Sequence, residues 1–566
     1  MEKEWIVSKH DLDEVNGLAS RLGVSPLLAA LLILRGHTDT EAAKRFLEPG
    51  LGDLNDPKLL LGMDDAVERL CAAIARGEQI LIWGDYDVDG TTGTVLLRKA
   101  LHRLGAVTDF HIPNRFTEGY GLNIPALEEA ANKGTRLVVT VDCGIRSFEA
   151  LEWARSRGLD VIVTDHHLSD PERGAPPATA VVNPNQAGCD YPDKQLAGVG
   201  VAFKLAQALL GDALDPVLLG EFLEIAAIGT VADIMKLTGE NRSIVTLGLR
   251  HLNQTRNYGL RALMEVADCT SEMTSLHIGF RIAPRINAAG RMDAASQVVE
   301  LLEADTPADA RRLAGILDGR NRERRRVQEL ITEQAMSAAT DFPDDRIIVV
   351  GGDGWHRGVI GLAASRIAER LARPAVVLSI ENGVAHGSAR SFGGFDIVEA
   401  FDRCSDVFIQ YGGHAAAAGL QIETGMIDEL RSRLNEFAGE RIDGEGLPNE
   451  LLIEAVVSTK TLGLEILKDL DRLEPYGAAN PKPVFLTRDL VLRRDPFVMK
   501  DRHLKFDLAD PVGKRFEAVW WDGVARSKGR TLEEGSRIEI AYTAEANHWQ
   551  GNTRLQLVTE DIRTID

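Results

Sequence analysis

The sequence predicts a multidomain α/β protein: a parallel-sheet domain, a connecting long helix, a second α/β domain and a C-terminal β-barrel of the OB type. Three observations carry this. The chain has 566 residues, too many for one hydrophobic core. From Gln79 onward, short apolar runs alternate with helical stretches, the mark of strands joined by crossover helices. After about residue 446 the apolar period changes to two, the mark of half-buried antiparallel strands.

Residues 1–75 read as helices packed on the domain that follows. Leu12–Leu22, Pro26–Ile33, Glu41–Phe46 and Met63–Ala75 carry apolar side chains at helical spacing, with Ser25 and Thr40 as N-caps. Residues 76–304 form the parallel-sheet domain. Strands are predicted at Ile80–Trp83, Leu137–Val141 and Val161–Val163, and helices at about 93–104, 124–133 and 147–157. Ligands of such sheets bind beyond the carboxyl ends of the strands. Residues 305–340 hold a polar stretch with no proline after Pro307, read as the connecting helix. Residues 341–445 form the second α/β domain, opening on Arg346-Ile-Ile-Val-Val-Gly-Gly. The stretch Asp443-Gly-Glu-Gly-Leu-Pro-Asn reads as a linker. Residues 446–566 form the barrel: His503–Leu508, Arg537–Tyr542 and Thr553–Val558 alternate, and Gln550-Gly-Asn-Thr is a hairpin signal.

Composition narrows the class. No apolar run approaches the roughly 18 residues of a spanning helix, and the start lacks the basic-then-apolar order of a secretory signal. Five cysteines at irregular spacing, with no CxxC, argue against a disulfide framework or a thiolate zinc site. These features predict a cytoplasmic protein with no membrane partner. The formal net charge of −21 weighs against nucleic-acid binding, because phosphate contacts need cations. A local basic path and a carboxylate-rich metal site both soften that objection.

The chemistry sits just after the predicted strands. Ile80-Leu-Ile-Trp-Gly-Asp-Tyr-Asp-Val-Asp-Gly places Asp85, Asp87 and Asp89 together. Three carboxylates this close repel one another unless a cation or solvent intervenes, and hard divalent cations prefer oxygen ligands. The D-x-D-x-D-G pattern also opens a calcium-binding loop, but the twelfth position, which should be glutamate, is Leu96. A solvated acidic turn is the plainer alternative. Further on, Asp142 ends Val138-Val-Thr-Val, Asp165-His166-His167 ends Val161-Ile-Val-Thr, and Asp233 ends a small-residue stretch. Singly, each has a plainer reading: a strand-end aspartate is often an N-cap, and a lone histidine pair is more often structural than catalytic. Sheet topology, however, gathers strand ends on one edge. Several aspartates with one or two histidines are the ligand mix for paired Mn2+ or Mg2+. Two such ions about 4 Å apart promote in-line displacement at phosphorus.

These residues resemble the DHH phosphoesterases, named for the triad standing here as Asp165-His166-His167. GDYDVDGTT, TVDCGI, TDHH, LAGVGVAFK, GTVADIM and PRINAAGRM follow the order seen in the RecJ single-strand-specific exonucleases, as do GWHRGVIGLAASRI, GSARS, YGGHAAAAG and PYGAANPKPVF. The resemblance spans nearly the whole chain. It implies a DHH domain, a DHH-associated domain and an OB-like domain. It implies 5′-to-3′ degradation of single-stranded DNA to mononucleotides in DNA repair and recombination, with a DHH phosphodiesterase for short oligonucleotides or cyclic dinucleotides, or a non-catalytic replication scaffold, as the alternatives. It also implies a monomer, with a single-strand-binding protein and a helicase as companions. Carried over by motif, it makes Asp87, Asp89, Asp142, His166 and Asp233 metal ligands, with Asp142 bridging two ions. Asp85 joins them, since Trp83 stands where some relatives have a ligand histidine. His167 becomes the catalytic histidine, and Asp165 orients the imidazoles.

The resemblance places the 5′ phosphate on Arg115, Ser388 and Arg390 with an arginine of the Arg285-Ile-Asn287-Ala-Ala-Gly-Arg291 motif. It gives His414 of Tyr411-Gly-Gly-His a contact to the nucleotide chain. Planar guanidinium groups suit bidentate phosphate contacts, and Ser388 and Arg390, two apart, face one way if extended. A surface salt bridge is the plainer reading of each arginine. From Arg311 to Arg326 seven arginines stand against Asp318 and Glu323, as a DNA contact or as a solvated helix face. Residues 486–530 hold eleven Lys or Arg against seven Asp or Glu, with Phe497, Phe506, Trp520 and Trp521 available for stacking or for the core.

Overall fold

The computed structural model describes residues 3–565 apart from 116, 293, 443–446, 528 and 550–551. The start of the expected linker at 443–446 and the tip of the expected hairpin at 550–551 therefore lie outside the described residues. Two compact units share the chain. The larger holds Trp5–Ala283, Val299–Arg311 and Leu452–Asp566; the smaller holds Pro284–Val298 and Arg312–Leu451 with the first few residues.

The larger unit opens with helices α1 (Leu12–Leu22), α2 (Pro26–Leu34), α3 (Thr40–Leu47) and α4 (Met63–Arg76). Ser25 caps α2, its Oγ accepting the Leu28 N–H at 3.0 Å. Thr40 does not cap α3. Asp39, one residue earlier, accepts the N–H groups of Glu41 and Ala42, and Thr40 becomes the first helical residue. These helices also divide in their packing. Leu18, Leu28, Leu31 and Phe46 share one core with Phe485, Phe506 and Trp520 of the C-terminal barrel, whereas α4 turns to the parallel sheet, Arg69 pairing with Asp160 at 2.6 Å. The reason lies in α2, whose sequence PLLAALLIL is apolar all round and needs cover on every side. At its end Arg35 pairs with Glu454 at 2.6 Å, both side chains under a tenth exposed.

The sheet contains β1 (Gln79–Gly84), β2 (Val107–His111), β3 (Thr135–Val141), β4 (Asp160–Thr164) and β5 (Ala180–Val182), in the order β2-β1-β3-β4-β5 and all parallel. β1, β3 and β4 are buried almost throughout, which is why they read as continuous apolar runs rather than alternating ones. Helices α5 (Val88–Arg103), α6 (Ile124–Asn132) and α7 (Phe148–Ser156) connect the strands. α5 starts five residues ahead of the expected position because Asp87 is its N-cap. Gly84 is in register with Val141, and Val141 with Thr164. The residues after these strands, Asp85, Asp142 and Asp165, therefore stand side by side. Helices α8 (Gly198–Leu210) and α9 (Pro216–Ala232) follow.

In the smaller unit the long helix α10 (Pro307–Ala339), which begins in the larger unit, covers the stretch expected as the connecting helix. A five-stranded sheet follows, built from β6 (Ile348–Asp353), β7 (Ala375–Glu381), β8 (Val384–Arg390), β9 (Phe408–His414) and β10 (Ala417–Glu423), with helix α11 (Arg357–Leu371) between β6 and β7. Its order is β9-β10-β8-β7-β6, with the β6–β7 pair parallel and the rest antiparallel.

The C-terminal barrel returns to the larger unit. Its strands β11 (Phe485–Leu492), β12 (His503–Ala509), β13 (Arg515–Trp520), β14 (Arg537–Trp549) and β15 (Asn552–Ile565) run β11-β14-β15-β13-β12, and β11 also pairs with β12, closing the sheet. Leu504, Phe506 and Leu508, the face expected from the alternation, point into its core. Among the described residues no single helix is long and apolar enough to cross a membrane.

Candidate metal centre

The edge formed by the ends of β1, β3 and β4 gathers every carboxylate and imidazole anticipated for the metal site. Asp87 caps α5, its Oδ1 accepting the N–H groups of Asp89 and Gly90. Asp89 lies in the first turn of α5, 1% exposed, and its two oxygens accept the Gly198 and Val199 N–H groups at 2.6 and 2.8 Å. The start of α8 thus stabilises one negative charge at the centre. Asp142 follows β3 in a left-handed conformation, φ 63°. Asp233 is the C-cap of α9.

Three sets of ligand atoms lie within 4.8 Å of one another: Asp85, Asp87 and Asp142; Asp89, His166 and Asp233; and Asp142, His166 and His167. Nε2 of His166 is 3.1 Å from Asp142 Oδ1, 3.6 Å from Asp233 Oδ2 and 3.8 Å from Asp89 Oδ2. Asp142 and His166 each belong to two sets; a carboxylate can serve two cations, whereas the single ring nitrogen Nε2 of His166 can serve only one. Oδ1 of Asp85 and Oδ1 of Asp142 are buried and accept no hydrogen bond. A buried carboxylate oxygen without a donor is costly, and a cation would satisfy both. The oxygen-rich donor set with one or two imidazoles fits Mg2+ or Mn2+.

The electrostatics point the same way. Burial, then the charge of Asp87, pushes the Asp85 carboxyl up to about 8. Burial followed by the same neighbour lifts Asp233 to about 7. Asp89 and Asp142 are raised well above the usual range, first by burial and then by neighbouring aspartates. Such a cluster favours protons or metal over bare charge. Burial and the nearby His167 lower His166 to about 4, which keeps its imidazole neutral and able to ligate.

Asp165 proves to be a scaffold for one imidazole rather than two. Its Oδ1 lies 2.8 Å from Nδ1 of His167 and accepts the backbone N–H groups of His166 and His167, while Oδ2 accepts the Ile145 N–H. The His166 ring is held instead by a hydrogen bond to the backbone of Leu196. Burial alone would lower the pKa of His167, but the hydrogen bond and charge of Asp165 outweigh it, and the net shift is upward.

Several contributors escape a reading of the sequence. Tyr120 donates its hydroxyl hydrogen bond to the Asp142 carbonyl at 3.2 Å and lies 3.4 Å from His167 Nδ1. It belongs to the same loop as Arg115, so a signal is present. Asn183 and Asn185 donate to the carbonyls of His167 and His166; they follow β5, a strand too short to stand out by periodicity. Gly198 is required for space, because a Cβ there would fall 2.5 Å from Cβ of Asp142.

The basic residues fall in both units. In the larger, Arg115 is exposed with its guanidinium 5.2 Å from the Tyr86 ring. In the smaller, Arg390 donates to Ser388 Oγ at 2.9 Å, as expected for extended residues two apart. Both lie against the first turns of α11, where a Cβ on Gly361 would meet Ser388 Oγ at 2.9 Å and Arg390 Nη2 at 3.0 Å. Arg291 donates to the Gly358 carbonyl at 2.7 Å. Arg291, Ser388 and Arg390 thus collect at the amino end of one helix, a setting that favours anions. Arg285 is instead buried and paired with Asp318 at 3.0 Å. Asn287 is half-buried and His414 is exposed at the end of β9. In the arginine-rich part of α10, Arg322 and Arg326 pair with Asp318 and Glu323 of the same helix.

Comparison with known proteins gives three family matches: the DHH family N-terminal domain over residues 79–230, the DHHA1 domain over 344–440 and the RecJ OB domain over 453–561. The single-stranded-DNA-specific exonuclease RecJ of Bacillus subtilis is 39% identical over 565 residues, covering 98% of this chain and 70% of the relative. The crystal structure of RecJ from Thermus thermophilus in complex with Mn2+ superposes with a TM-score of 0.85 at 30% identity, over 100% of this chain and 80% of the other. RecJ from the same source in complex with Mg2+ gives 0.79 at 30% identity, over 100% and 79%.

Proposed function

The chain belongs to the RecJ family of the DHH superfamily, and from that premise we propose that it is a single-stranded-DNA-specific exonuclease working from the 5′ end. It hydrolyses phosphodiester bonds with two divalent cations, Mn2+ or Mg2+, and releases 5′-mononucleotides. The observation that carries this reading is the unsatisfied oxygen pair of Asp85 and Asp142 among three overlapping ligand sets. Cations held there would supply charge neutralisation at the phosphodiester and a more acidic water molecule.

Asp87, Asp89, Asp142, His166 and Asp233 would hold the cations, and Asp85 would complete the set. His167, fixed through Nδ1 by Asp165, presents its other ring nitrogen to the scissile phosphate or its leaving oxygen. Tyr120 fixes the backbone that carries Asp142. Ser388 and Arg390, with Arg291, take the terminal 5′ phosphate, and Arg115, Asn287 and His414 contact the nucleotide chain. Arg285 acts through Asp318 as a support. The reading also places the protein in the cytoplasm, in DNA repair and recombination, as a monomer working with a single-strand-binding protein and a helicase.

The test uses purified protein, Mn2+ and a 5′-labelled single strand, against duplex and dinucleotide controls. Release of labelled mononucleotide from the single strand alone supports the reading. Activity confined to dinucleotides would sink it, as would an Asp142→Ala variant as active as the wild type.

A further inference from the structure

Directly after Asp233, Ile234 adopts a left-handed conformation, φ 58°, with its side chain 76% exposed. Helices often end on a left-handed residue, normally glycine or asparagine. A β-branched residue there is strained. Asp142, also left-handed, is a residue type that tolerates the conformation; isoleucine is not. The turn itself is well formed, with the Ile234 N–H donating to Val231 and the Met235 N–H to Thr230. A strained residue directly after Asp233 thus carries a large apolar side chain exposed to solvent. Strain of this kind gathers at functional sites.

A second exposed apolar side chain is tied to the same place. Phe280 is 72% exposed and sits in a π-helical turn, Ile278–Ile282. Such turns are rare and favour functional sites. Its neighbour Gly279 faces the last turn of α9, the nearest atom to a Cβ there being Val231 Cγ1 at 3.9 Å. The end of α9 thus carries a ligand carboxylate and one uncovered apolar group, and the π-helical turn packed against its last turn carries another.

We propose that Ile234 and Phe280 form an apolar platform for a nucleobase next to the bond being cut. The proposal rests on the nuclease reading above and adds a source of strand selectivity to it. A single strand brings unpaired bases along with its phosphates, and exposed bases pack on apolar and aromatic side chains. In a duplex the same bases are stacked and paired, so this platform has nothing to hold.

The test compares Ile234→Gly and Phe280→Ala with the wild type on two 5′-phosphorylated single strands in Mn2+. One strand is ordinary, and the other carries abasic residues at its first three positions. On the ordinary strand each variant should lose roughly tenfold in kcat/KM, the size of one base contact, and mostly through KM. On the abasic strand wild type and variants should converge. Ile234→Gly should also melt at or above the wild-type temperature, because it relieves the strain. Equal losses on both strands, no loss on either, or a marked fall in melting temperature for Ile234→Gly would overturn the platform while leaving the nuclease reading intact. A wild type that does not degrade single-stranded DNA at all would overturn the nuclease reading, and the platform with it.

Discussion

Replacing Asp233 with asparagine should make the metal-free protein more stable and the metal-loaded protein inactive. The magnitude follows from the surroundings of the carboxylate. It lies 3.6 Å from His166 Nε2, its side chain is 27% exposed, and burial with the charge of Asp87 raises it from 3.8 to about 7. A raised pKa means that the folded state holds the proton more tightly than the unfolded state. The penalty is therefore absent below pH 3.8 and grows as the pH rises to about 7. At about 1.4 kcal/mol per pH unit, the full difference is about 4 kcal/mol at pH 8. Partial exposure and rearrangement of neighbouring charges reduce this, and we expect a gain of about 2 kcal/mol for Asp233→Asn in chelator at about pH 8, falling to nothing at about pH 4. Urea denaturation at several pH values, with chelator and then with Mn2+, reads the effect. In Mn2+ at about 100 times its dissociation constant the wild type should gain about 2.7 kcal/mol, and the variant much less. If the variant in chelator at that higher pH is no more stable than wild type, or if Mn2+ stabilises both equally, the carboxylate is not part of a cation site.

Three further perturbations probe the surrounding parts. His167→Ala should lower kcat by roughly 100-fold or more while calorimetric Mn2+ binding stays close to wild type, since a positioned hydrogen-bond donor to developing charge is worth about that much; an equal loss of metal affinity would make His167 a ligand instead. Gly198→Ala drives a methyl group to 2.5 Å from Asp142 Cβ, and titration should show Mn2+ affinity down by about 10- to 100-fold, with unchanged affinity refuting the close approach. Arg390→Ala should slow hydrolysis of 5′-phosphorylated strands more than of 5′-hydroxyl strands and leave metal binding intact; a uniform effect on both ends would remove the phosphate from its neighbourhood.

The parts of this protein that can be read from its residues are those where one local rule decides. β1, β3 and β4 are buried on both faces and so appear as unbroken apolar runs, and their ends carry the acidic motifs. The barrel face of Leu504, Phe506 and Leu508 follows from alternation alone. What cannot be read is decided by distant partners. β5 is three residues long, too short for any periodicity, so Asn183 and Asn185 give no signal although they brace the histidine pair. Nothing local to α2 says that it shares a core with Phe485 and Trp520, roughly 450 residues away along the chain. The division of labour between the histidines is equally non-local: Asp165 reaches His167, but His166 depends on the backbone of Leu196.

The net charge of −21, which at first weighs against a nucleic-acid substrate, takes on another meaning once the charges are located. Asp85, Asp89, Asp142 and Asp165 are all nine-tenths or more buried at one sheet edge, and Asp87 and Asp233 adjoin them. They form a local well for cations rather than an exposed repulsive surface, and bound divalent cations would offset most of the negative charge met by an approaching phosphate. Ion pairs absorb several arginines that a simple count would assign to DNA, among them Arg285, Arg322 and Arg326. Net charge is thus a poor guide here in both directions. It counts buried carboxylates as surface repulsion and paired arginines as free attraction. The property that decides whether a phosphodiester can approach is the charge presented at the metal edge once its cations are bound.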